Sequence, residues 1–163
     1  MASVTTPPTE TRTFAHRVRL NLDAVDAVAG VAPAKAHQVT QLVLSLVGLL
    51  VLPRETHYLR LAGHERLADL AKRGWPAWTI VNDLSRRPGA SADTLGDLLW
   101  HLKSVITAGR IRTTSGDVPF KDVTVFFDQQ VAGGGIDTWS ASISAPDLRT
   151  FCVKLAELVD RHE

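Results

Sequence analysis

The stretch Ala34-Lys-Ala-His-Gln-Val-Thr-Gln-Leu-Val-Leu-Ser-Leu-Val-Gly-Leu-Leu-Val-Leu52 decides the fold class. Val39, Leu42, Val43, Leu46, Val47, Leu49 and Leu50 recur at helical spacings and make it apolar over more than half its circumference. A helix of that kind is either central to a bundle or packed against a second protomer. Its most apolar run, Leu42 to Leu52, is eleven residues, short of the roughly 20 that span a bilayer, so it predicts a buried core helix. Gly48 costs about 1 kcal/mol relative to Ala in a helix interior, which suits a close helix crossing. Pro53 ends the segment.

Working outward, Phe14, Val18, Leu22 and Val25 mark a preceding helix from about Glu10, closed by Gly30 in the left-handed position that favours glycine. Residues 1–9 hold three Thr, one Ser and two Pro and read as a flexible tail, leaving 10–163 as a single domain. Downstream, His64 to Lys72 reads as a short helix ending at Gly74, Thr79–Leu84 as a helical segment, and Ser85–Gly89 as a turn. A helix from Ser91 or Asp93 carries Leu95, Leu98, Leu99, Leu102, Val105 and Ile106 before Gly109. The period then falls to two: Val123, Val125 and Phe127 alternate with polar or outward positions, as do Trp139, Ala141 and Ile143. With Gln129–Gly135 as a turn-rich loop between them, these form a β-hairpin. Ser144-Ala-Pro-Asp147 is a capping-box variant that opens a last helix with Leu148, Phe151, Cys152, Leu155, Leu158 and Val159 on one face. The predicted architecture is mainly α, an up-and-down bundle of four to five helices with an appended β-hairpin before the last one.

Composition narrows the function. Eighteen Lys and Arg against seventeen Asp and Glu leave a net charge of +1, which argues against a protein whose main task is non-specific grip on nucleic acid. A single cysteine, Cys152, excludes an internal disulfide framework, and its place on an apolar stripe reads as a buried structural thiol. The six histidines include no pair with three residues between them, and His64-Glu65 lacks the second histidine of a metalloprotease motif because that position is Ala68. Gly133–Gly135 lacks the Lys-Ser/Thr of a phosphate loop. No metal and no cofactor are expected. The opening MASVTTPPTETRTF has no apolar core of a signal peptide, so the expectation is a cytoplasmic protein without a membrane segment. Trp75, Trp78, Trp100 and Trp139 read as core or interface anchors before base-stacking platforms.

What remains is the junction Leu98-Leu-Trp-His-Leu-Lys-Ser-Val-Ile-Thr-Ala-Gly-Arg-Ile111. With the upstream block Val39–Glu55 and the downstream block Trp139–Phe151, it resembles the HEPN superfamily, and within it the plasmid-type nucleases. The resemblance covers about Phe14 to Val159 in order, and the long second-helix block is its more specific part. It implies a helical bundle that dimerises and a metal-independent ribonuclease lineage of toxin–antitoxin and phage-defence systems. The family signature is an Arg, commonly followed by Asn, with a His four to six residues on at a helix end. An imidazole there orients or deprotonates the attacking 2′-hydroxyl, and a guanidinium holds the phosphate as charge develops.

At the positions that the resemblance assigns to catalysis, this chain has Lys103 for Arg, Ser104 for Asn and Ala108 for His. Lysine keeps the charge without the planar fork, and alanine exchanges no proton. Whether the chain is an enzyme is therefore open. His101 is the one candidate for rescue, about 10 Å up the axis from position 108 at 1.5 Å per residue. Lys103, Arg110 and Arg112, with Arg12, Arg17 or Arg19 as further cations, are candidates for an RNA-phosphate surface. Two functions follow: a catalytically degenerate ribonuclease-lineage protein, or a non-catalytic HEPN-like module that binds RNA or a partner protein. Expected partners are a second copy of the chain, RNA, and an antitoxin or defence component.

Overall fold

The computed structural model describes residues 9–27, 34–51, 62–82, 92–114, 118–129 and 139–160. The predicted closing glycine Gly30, Pro53, the Ser85–Gly89 turn and most of the hairpin loop lie outside them, as does the tail except Thr9. Thr9 opens helix α1, Thr9–Ala27. Helix α2 is Ala34–Val51, α3 Leu67–Lys72, α4 Leu95–Thr107 and α5 Ala145–Asp160. Strands are β1, Thr79–Asn82; β2, Ile111–Thr113; β3, Thr124–Gln129; and β4, Trp139–Ser144. A 3-10 turn, Phe120–Asp122, leads into β3.

The mainly α expectation holds, with the hairpin β3–β4 where the alternation put it. The hairpin is the centre of a larger antiparallel sheet of order β1-β4-β3-β2. Thr79–Asn82 corrects the helical reading of 79–84: these residues pair with Trp139–Ser142. The short helix also begins later than His64. Arg66 is extended and bridges Thr94, and the Leu67 and Leu95 amides donate to the Asp93 and Glu65 carbonyls, so the chain entering the short helix is bound to the approach of α4.

Antiparallel partners share a face, so Ile80, Ala141, Phe127 and Ile111 form one apolar row across all four strands. That face meets the helices. Phe127 and Phe151 are fully buried, and Trp78 bridges them, with its ring 5.7 Å from one and 5.0 Å from the other. Helix α1 packs on α2 and α5, and α4 on β3 and α2. Gly48 faces Phe14 of α1: a Cβ there would lie 2.4 Å from the tip of the Phe14 ring. The missing side chain serves a contact inside the protomer. Arg149 on α5 ties the same layer by ion pairs to Asp23 and Asp26 on α1. Of α2's wide apolar surface, Leu42, Leu46, Leu49 and Leu50 are buried, while Leu44 and Val51 are exposed.

Candidate functional site: the outer face of helix α4

Helix α4 is fixed at both ends by its own sequence. At the start, the Thr94 hydroxyl accepts from the Asp97 amide while the Asp97 carboxylate accepts from the Thr94 amide, a complete capping box. At the end, Gly109 sits at φ +67°. Its amide donates to the Ile106 carbonyl and that of Arg110 to Val105, the paired bonds of a Schellman close. Between them Leu95, Leu98, Leu99, Leu102, Val105 and Ile106 are buried. That leaves Trp100, Thr107 and Ala108 exposed, and His101, Lys103 and Ser104 half-buried, on the outer side.

Lys103, Ser104 and Ala108 thus lie together in the last turns, as their spacing predicts. Their chemistry is local. The Ser104 hydroxyl donates to the Trp100 carbonyl at 3.0 Å, and the Thr107 hydroxyl donates to the carbonyls of Lys103 at 2.9 Å and Ser104 at 3.1 Å. Ala108 is the exposed C-cap and presents only a methyl group. His101 is held away from it. Its ring stacks on Trp139 at 4.6 Å and 8° from parallel, and meets Trp100 edge to face at 4.9 Å.

The basic residues divide. Arg110 follows the helix end and anchors it to the sheet, its carbonyl accepting from the Asp128 amide at 3.3 Å. Arg112 stands in β2 opposite Phe126. Its guanidinium lies 5.4 Å over that ring and donates through two nitrogens to one Asp128 oxygen, at 2.7 and 2.5 Å. Arg112 is therefore an exposed ion-pair partner whose charge is offset locally. The Asp128 position follows from strand alternation, which places it beside Phe126 and Arg112, but the pairing of β2 with β3 was not readable beforehand. Arg17 is exposed and Arg19 half-buried on α1, a helix that packs on α2 and α5; Arg12's side chain is outside the described residues.

Cys152 lies in the core, and burial pushes its thiol from an ordinary 9.0 up to about 12, against a smaller opposing pull from Arg149. A thiol of that kind supplies no nucleophile. Among the described residues no group of three or more His, Cys, Asp or Glu is placed to hold a metal ion. No helix among them is long and apolar enough to cross a membrane. Of the four tryptophans, Trp139 is buried and Trp75 and Trp78 are half-buried, while Trp100 is 52% exposed.

A family model described as HEPN pEK499 p136 matches residues 3–163. Comparison with curated proteins and with solved structures finds no match.

Proposed function

The chain belongs to the HEPN pEK499 p136 family, and from that membership we propose a cytoplasmic protein of the metal-independent ribonuclease lineage, of toxin–antitoxin or phage-defence systems, that binds RNA and has lost the chemistry of cleavage. The observation that carries the reading is Ala108, exposed at the C-cap of α4 where the lineage places its histidine. Cleavage by a 2′-hydroxyl needs a proton acceptor beside that hydroxyl and a donor fork on the phosphate. General acid–base help is worth about 10²–10⁴-fold, and a preorganised charge-stabilising donor a further ~10²–10³-fold. Ala108 supplies none of the first. Lys103 supplies a point charge in place of the fork. The Ser104 hydroxyl is turned back to the Trp100 carbonyl, and the His101 ring lies on Trp139.

Attraction of phosphate needs only positive charge, so Lys103, Arg110 and Arg112 keep an RNA-binding role. Two protomers complete the unit in this proposal. The exposed Leu44 and Val51 of α2, seven residues apart on one stripe, are the surface offered to a second copy or to an antitoxin or defence partner. Gly48 has no part in that contact, because Phe14 fills the space above it.

The test is binding of RNA by the full chain at increasing salt, with chelator present and RNA length followed. The reading expects intact RNA, affinity that falls linearly on a log–log salt plot, and a slope reduced by about 1 in Lys103→Gln. Absence of RNA binding at low salt overturns it.

A further inference from the structure

The site above leaves its most conspicuous side chain without a task. Trp100 is a large aromatic on the outer face of α4, 52% exposed, one helical turn before Lys103 and Ser104. Large rings on a surface are often recognition elements. Two features distinguish this one from a loose surface tryptophan. Its orientation is set by the edge-to-face contact with His101, and His101 is itself stacked flat on the buried Trp139. The three rings form a column from the core to the solvent, with Trp100 at its outer end. Two cations lie beyond it, Lys103 half-buried on the outer side of the same helix and Arg110 past the cap. The nearby acid on the exposed side, Asp97, is engaged with Thr94 at the helix start.

We propose that Trp100 is a stacking platform for an unpaired nucleobase, with the adjoining backbone phosphates drawn to Lys103 and Arg110, so that this face selects single-stranded over double-stranded RNA. An indole stacks on any base face once that face is unpaired, and a base inside a duplex has none to offer. A neighbouring cation then holds the strand without reading sequence. The inference rests on the reading that the α4 face binds RNA and adds to it the group that is recognised. His101 is a positioning residue here, holding the indole upright.

The experiment measures binding of the full chain to a short single-stranded uridine oligomer, the same oligomer with abasic sites, and a duplex of equal length. Trp100→Ala, Trp100→Phe and Lys103→Gln are compared with the parent. The expected result is parent preference for the base-bearing single strand, and a loss of roughly 5- to 150-fold in Trp100→Ala that brings it to the abasic level. Trp100→Phe should recover most of the affinity, and Lys103→Gln should weaken all three ligands alike. Equal parent affinity for abasic and base-bearing strands overturns the platform while leaving phosphate binding intact. Undiminished binding by Trp100→Ala does the same. No binding of any RNA by the parent overturns the underlying reading, and the platform with it. If Trp100→Ala instead breaks self-association while abasic and base-bearing strands bind alike, the ring anchors a second copy of the chain and the proposal fails. Should Trp100→Ala not fold, the parent's abasic comparison and Trp100→Phe decide.

Discussion

The imidazole of His101 lies on the indole of Trp139, ring centres 4.6 Å apart and planes within 8° of parallel. One contact joins the middle of α4 to the first residue of β4. Trp139 is 5% exposed, so Trp139→Ala should cost about 3–5 kcal/mol, read by urea unfolding. A loss below about 1 kcal/mol would show that the ring is no anchor.

Gly48→Ala should destabilise although it replaces the poorer helix former. The exchange gains about 1 kcal/mol of propensity in an open helix. The new methyl meets the Phe14 ring at 2.4 Å, and overpacking of that kind costs about 1–3 kcal/mol. With Phe14→Ala in place the sign should reverse, and Gly48→Ala should then stabilise. A double-mutant cycle measured by chemical unfolding checks this; a gain in the parent background would contradict the crossing geometry.

Cys152 should resist alkylation in the folded chain at mildly alkaline pH and react only as it unfolds, because burial holds its pKa at about 12. The sign for stability follows. A raised folded pKa means the folded state holds its proton more tightly, so this contribution is intact below the ordinary value of 9.0 and declines as pH climbs toward about 12. Cys152→Ser should lose stability at neutral pH, through a hydroxyl placed where the thiol is fully enclosed, and lose the thiol's share of the alkaline decline. Modification by thiol reagents at the rate of a free thiol, with the fold intact, would refute the burial.

The long elements were legible because each repeats its period several times. Leu42, Leu46, Leu49 and Leu50 mark α2, Leu95 to Ile106 mark α4, and Trp139 to Ile143 alternate for a full strand. Strands β1 and β2 have four and three residues, too few for alternation to separate Thr-Ile-Val-Asn from a helical turn. What makes them strands is partners far along the chain, Ser142 opposite Thr79 and Phe127 opposite Ile111. The same holds for the site. The positions Lys103, Ser104 and Ala108 came from resemblance and helix spacing, and the capping glycine Gly109 from local chemistry. The stack of His101 on Trp139, the pairing of Arg112 with Asp128 and the exposure of Trp100 depend on how α4 meets the sheet, which no local pattern encodes.

The loss of cleavage is tested most directly by restoring the family residues, Lys103→Arg, Ser104→Asn and Ala108→His in one chain, and following RNA length beside the parent in the presence of chelator. Position 108 is exposed at the helix cap, so an imidazole fits there without disturbing the core. The account predicts that the restored chain cleaves at least about 10²-fold faster than the parent, the lower bound of what a positioned base supplies, and that the parent stays at background. Cleavage by the parent itself, abolished by His101→Ala, would contradict it and place the chemistry on the ring now described as stacked against Trp139.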